Sequence, residues 1–111
     1  MSLDGVKITV MSGAEDGKIF ELEKTPIMLG RHPDDDVCLS YDSRVSRHHA
    51  RITKKGDVYF IEDVGSEGKG STNGTYVGEK KISTETAISS GEMILLGSVW
   101  VKFESGITKA G

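Results

Sequence analysis

Apolar residues along this chain fall in short runs with a period near two, broken by Gly, Ser, Asn and Asp. The breaks come roughly every eight to twelve residues, the spacing of antiparallel strands packed face to face, and no stretch keeps the period of a long helix. The predicted strands are Val6 to Met11, Lys18 to Leu22, Ile27 to Arg31, Val37 to Leu39, His49 to Lys54, Val58 to Asp63, Thr75 to Val77, Lys81 to Ser83, Glu85 to Ile88, Met93 to Leu96 and Val99 to Phe103. About eleven such strands exceed what one small sheet holds. The expected fold class is therefore all-β, a two-sheet β-sandwich of short, mainly antiparallel strands.

Alternation picks out the faces expected to be buried: Ile8 and Val10, Ile19 with Leu22, Val58, Tyr59 or Phe60 with Ile61, and Val99, Val101 and Phe103. Met93-Ile94-Leu95-Leu96 is continuous instead, which suits a strand covered on both sides or one running into a turn at Gly97. Gly17, Gly56 and Gly91 stand where tight hairpins are expected, with Asp16-Gly17 the strongest turn dipeptide.

A chain of 111 residues has room for one core. The expected domain is 6–104, with loose ends at 1–5 and 105–111, where periodicity is lacking. Fourteen basic residues against seventeen acidic ones give a net charge of −3, and no basic run exceeds Lys54-Lys55 or Lys80-Lys81. That pattern lacks the footprint of a nucleic-acid binder. A single cysteine, Cys38, cannot form an internal disulfide, and neither a leader nor a spanning apolar run is visible. The expectation is a soluble, cytoplasmic chain without membrane contact.

The arginines change the picture. All four (Arg31, Arg44, Arg47, Arg51) and all three histidines (His32, His48, His49) fall between 31 and 51, whereas lysines run from Lys7 to Lys109. A planar guanidinium grips a phosphate through two parallel hydrogen bonds, so arginine beside Ser and Asn points to anion recognition. On charge alone a solvated surface remains open, because Asp34, Asp35, Asp36 and Asp42 share the stretch. Gly65-Ser66-Glu67-Gly68-Lys69-Gly70 fails as a nucleotide loop, since Gly68-Lys69 is followed by glycine and then a strand. Cys38, His32, His48 and His49 match no usual zinc spacing, and Cys38 reads as a small buried strand residue. Ser46 with His48 or His49 and Asp63 would make a hydrolase, yet there is no nucleophile elbow or evident oxyanion hole. Neither catalysis, metal nor cofactor is expected.

Gly30-Arg31, then Ser46-Arg47-His48-His49, then Asp63 leading to Ser71-Thr72-Asn73-Gly74 occur in one order over roughly Ile27 to Phe103. Taken singly, Ser46 is a turn hydroxyl and Asn73-Gly74 a hairpin turn. Together the motifs resemble the forkhead-associated (FHA) domain family, which binds phosphothreonine and is one of the phospho-motif readers. The resemblance implies binding loops at one end of the sandwich. It implies that Arg31 and Ser46 contact the phosphate, that Thr72 closes its pocket with Arg47 beside it, and that Asn73 holds the peptide backbone through its carboxamide. Gly30, His49 and Gly74 would frame the loops, and His48 would be exposed with a minor part in peptide contact. The partners implied are phosphothreonine-containing proteins and Ser/Thr kinase signalling components, recognised without chemistry. The alternative is a phosphorylation-independent interaction scaffold on the same fold. One departure from the family pattern is Glu67-Gly68-Lys69-Gly70, an insertion ahead of Ser71 whose Lys69 could bring charge to the ligand.

Overall fold

The computed structural model describes residues 5–65 and 70–107. Its strands in chain order are β1 (Gly5–Val10), β2 (Ile19–Leu22), β3 (Ile27–Gly30), β4 (Val37–Cys38), β5 (Ala50–Lys55), β6 (Val58–Asp63), β7 (Thr75–Val77), β8 (Lys80–Lys81), β9 (Thr86–Ile88), β10 (Glu92–Leu96) and β11 (Val99–Ile107). One sheet has the order β2-β1-β11-β10-β7-β8 and the other β4-β3-β5-β6-β9. Pairing is antiparallel throughout except between β3 and β4. The two-sheet all-β class expected from the pattern is the one found. Among the described residues no helix is long and apolar enough to cross a membrane.

Inward residues of the two sheets form one core. Ile8 faces Phe103 and Val10 faces Val101 across β1 and β11, while Ile52 sits between Ile27 and Ile61 in the second sheet, all fully buried. Each such side chain contributes about 1.5–3 kcal/mol by leaving water, so the strands hold the sandwich and the end loops are free to be polar.

Two expected core residues lie outside. Ile19 is 53% exposed and Val58 44%, and their neighbours Phe20 and Tyr59 occupy the inner positions. Both strands begin with adjacent apolar residues, so alternation leaves the frame ambiguous by one residue. The pairing of Ile8 with Phe20 settles it in β2. Cys38, expected buried, is half-buried because Val37 and Leu39 on either side point inward. In β10 the continuous run divides: Ile94 and Leu96 are buried, whereas Met93 and Leu95 are half-buried on the outer face, Leu95 opposite Trp100.

The last strand is longer than the pattern suggested. β11 continues past Glu104, pairing Ser105 with Val6 and Ile107 with Gly5, so 105–107 and Gly5 belong to the sheet rather than to loose ends. Its backbone finds a partner in β1 even though its side-chain pattern has faded. Residues 1–4 and 108–111 lie outside the described residues. Gly56 makes the two-residue β5–β6 hairpin with φ of 62°. Gly91, expected in a hairpin, instead sits between β9 and β10, which belong to different sheets.

Candidate functional site

Three long loops and one tight turn meet at one end: those after β3, after β4 and after β6, and the β10–β11 turn. Arg31 follows directly on β3, and its main-chain N–H donates to the Ser46 carbonyl at 3.1 Å. Its Nε donates to the Val45 carbonyl at 2.9 Å, and Arg31 forms no ion pair among the described residues. With Nε anchored, the guanidinium is oriented and its terminal nitrogens are the groups it can offer to an anion.

Ser46 links the next two loops. Its Oγ accepts the Thr72 N–H at 3.0 Å, which leaves the hydroxyl proton to donate elsewhere. Its own N–H donates to His49 Nδ1 at 3.0 Å. Since Nδ1 accepts, the proton of the neutral ring is on Nε2, which donates to the Gly74 carbonyl at 2.8 Å. Burial pushes the His49 ring below the ordinary histidine value; the Gly74 bond and the Asp63 charge oppose this more weakly, so the ring is neutral. Both ring nitrogens are occupied by backbone. His49 therefore has none to take a proton from Ser46 Oγ, which removes the basis of a Ser46–His49 hydrolase pair.

Asp63, at the end of β6, ties the loop to β7. Its carboxylate accepts from Ser71 N at 2.6 Å, from Ser71 Oγ at 2.5 Å and from Thr75 Oγ1 at 2.8 Å. Burial would raise its pKa, but these three hydrogen bonds outweigh burial and hold the carboxyl below the usual carboxylate value. Ser71 Oγ in turn accepts the Gly74 N–H at 2.9 Å. On either side of the insertion, Gly70 N donates to the Val64 carbonyl at 2.7 Å, and the bonds from Asp63 through Ser71 to Gly74 are all made. Lys69, considered for ligand contact, lies outside the described residues.

Gly30 is required by close approach. A Cβ there would stand 2.3 Å from Asp35 Oδ2, 2.6 Å from His48 N and 2.8 Å from His49 N. Asp35 is buried and was hidden in the sequence among three consecutive aspartates. Its Oδ2 accepts from His32 N and His48 N, both at 3.1 Å, and its Oδ1 lies 2.5 Å from His48 Nδ1. His48 is not the simply exposed residue expected: at φ of 52° it packs on Asp35 and stacks on His32 with ring centres 4.8 Å apart.

Arg31, Ser46, Thr72, Asn73, Gly74, His49 and Gly30 are thus brought together. Arg47 follows Ser46 at the exposed surface. Asn73 Nδ2 donates to the Arg44 carbonyl at 2.8 Å, binding one loop to another, while its second N–H and its carbonyl oxygen add to what the carboxamide can offer. Sequence reasoning missed Asp35 and also Lys81, whose side chain reaches the Gly74 turn. Motif order alone carried no signal for either.

A family model for the FHA domain matches residues 27–97. The oxoglutarate dehydrogenase inhibitor of Corynebacterium jeikeium is 36% identical over 103 residues, covering 93% of this chain and 67% of its own length. The chain spans from 57% to 67% of the length of curated relatives of this kind. A structure solved to analyse phosphothreonine-dependent FHA domain interactions superposes with a TM-score of 0.75 at 28% identity, covering 90% of this chain and 95% of that one. The kinase-interacting FHA domain of the Arabidopsis kinase associated protein phosphatase superposes with a TM-score of 0.79 at 25% identity, each chain covered in full (100% of both).

Proposed function

The chain belongs to the FHA domain family, and from that premise we propose that its loop end binds a phosphothreonine within an extended segment of a partner protein. FHA domains are interaction modules. The reading is carried by one observation: Arg31 is held by the Val45 carbonyl while Ser46 Oγ takes the Thr72 N–H, so groups from three separate loops converge on one place.

In this reading the Arg31 terminal nitrogens and the Ser46 hydroxyl proton contact the phosphate. Thr72 closes the pocket, Arg47 adds charge beside it, and Asn73 holds the peptide main chain. Gly30, His49 and Gly74 keep the loops in place. A phosphate near −2 supplies acceptors that a plain hydroxyl lacks. Two charge-assisted hydrogen bonds at roughly 1.5–3 kcal/mol each make phosphorylated and plain peptides differ in affinity by a factor on the order of hundreds or more. Threonine gains over serine through its methyl group, worth about 0.8 kcal/mol if fully buried. The domain itself is cytoplasmic and acts without catalysis, on proteins phosphorylated by Ser/Thr kinases. The kinase-interacting relative supports that choice of partners.

Fluorescence anisotropy of the domain with a degenerate phosphothreonine peptide pool and its unphosphorylated twin tests this, with Arg31→Ala in parallel. Saturable binding that needs both phosphate and Arg31 is expected. Equal binding of the two pools would instead favour the phosphorylation-independent scaffold.

A further inference from the structure

Lys81 is eight residues beyond Asn73 in the chain, yet the fold returns it to the same loop. β8 is the outer strand of its sheet, and Lys81 pairs with Tyr76 of β7. A Cβ on Gly74 would lie 2.9 Å from Lys81 Cε and 3.6 Å from Nζ, so the ammonium rests against the Asn73-Gly74 turn. The absence of a side chain at 74 is what admits it. Lys81 is exposed and forms no ion pair among the described residues. By contrast Lys7 pairs with Glu104 at 3.7 Å, Lys18 with Glu15 at 3.5 Å and Lys55 with Glu85 at 2.5 Å. Beside Lys81, toward β9, opens a cleft of about 430 Å³ whose walls include Lys80, Ile82, Thr84, Thr86 and, from β10, Glu92.

We propose that Lys81 selects an acidic residue flanking the phosphothreonine, so that the domain prefers phosphothreonine in an acidic segment. The inference rests on the phosphothreonine reading above. A peptide held at Asn73 by its main chain runs past Gly74, and its next side chains meet the Lys81 ammonium with the cleft beside it. An ammonium on a flexible stem takes a carboxylate without strict geometry, which suits selection by charge rather than by a fixed residue. Ion pairs in water are weak, so the preference for an acidic over a neutral flank is about two- to fivefold and shrinks in high salt.

The test measures affinities of the domain for phosphothreonine peptides in which each flanking position carries Glu, Gln or Lys in turn, together with unphosphorylated twins. At one or more positions the wild-type domain is expected to bind the Glu peptide about two- to fivefold more tightly than the Gln peptide. That ratio should fall to about one in Lys81→Gln and invert toward Lys peptides in Lys81→Glu. Phosphate-dependent binding with no acidic preference, or a preference that survives both substitutions, overturns the inference and leaves the phosphothreonine reading standing. Equal binding of phosphorylated and plain peptides overturns both.

Discussion

Replacing Asp63 tests whether the binding end is held together from beneath, by a residue assigned no ligand contact. In Asp63→Ala the Thr75 hydroxyl, fully buried, loses its only acceptor among the described residues. A buried polar group left unpaired costs about 1–3 kcal/mol. The Ser71 N–H and hydroxyl are half-buried and recover water in part, for a loss of about 0.5–1.5 kcal/mol each. Relief of the buried carboxylate offsets some of this, so the expected destabilisation is about 3 kcal/mol, a large share of the roughly 5–15 kcal/mol that holds a domain. The melting temperature should fall by roughly 10–25 °C. Urea unfolding followed by the fluorescence of Trp100, the single tryptophan, measures it, with an unchanged slope showing that the variant stays two-state. Because Ser71 also anchors Gly74, phosphopeptide affinity should weaken at temperatures where the variant is still folded. The pH dependence has a definite sign. A carboxyl held below its unfolded value contributes stability that is present above that value, near pH 4, and lost as pH falls through the folded value. Acid unfolding of the wild type should therefore be steeper than that of Asp63→Asn. A loss under about 1 kcal/mol with unchanged peptide affinity would refute the role assigned to this carboxylate.

Gly30→Ala forces a methyl against Asp35 Oδ2 and two backbone nitrogens at under 3 Å, and should cost at least about 2 kcal/mol in the same urea assay; near-neutral behaviour would mean that the contact gives way freely. His49 is neutral and held below free histidine, so its contribution is full above about pH 6.5 and declines as pH falls toward the folded value. His49→Gln should remove that part of the slope between pH 7.5 and pH 5.5, and an identical slope in the variant would contradict a neutral His49. For Arg31→Lys, the loss of a planar fork should leave phosphopeptide binding at least about tenfold weaker by anisotropy, whereas equal affinity would show that charge alone suffices.

The local pattern was enough to place strands, because alternation and turn residues act within a few positions of themselves. Gly56 and the run from Val6 to Val10 needed no knowledge of the rest of the chain. The loop residues Arg31, Ser46 and Asn73 were legible for a different reason, in that several separated motifs kept one order. Frame was less legible. Ile19-Phe20 and Val58-Tyr59 each offered two ways to face the core, and only pairing with the neighbouring strand, as of Ile8 with Phe20, made the choice. The end of β11 was likewise decided by an available edge of β1 rather than by its own side chains.

By itself, then, the sequence determined an all-β sandwich of short strands in this order, and a loop set rich in arginine and hydroxyl groups. Tertiary structure decided which aspartate is buried, which histidine nitrogen carries the proton, and which lysine reaches the Gly74 turn. The bonds that make those decisions, Asp35 to His48, His49 to Gly74 and Asn73 to Arg44, join residues 13 to 29 positions apart. Such contacts exist only once two sheets have closed on a common core, and local propensity carries no record of them.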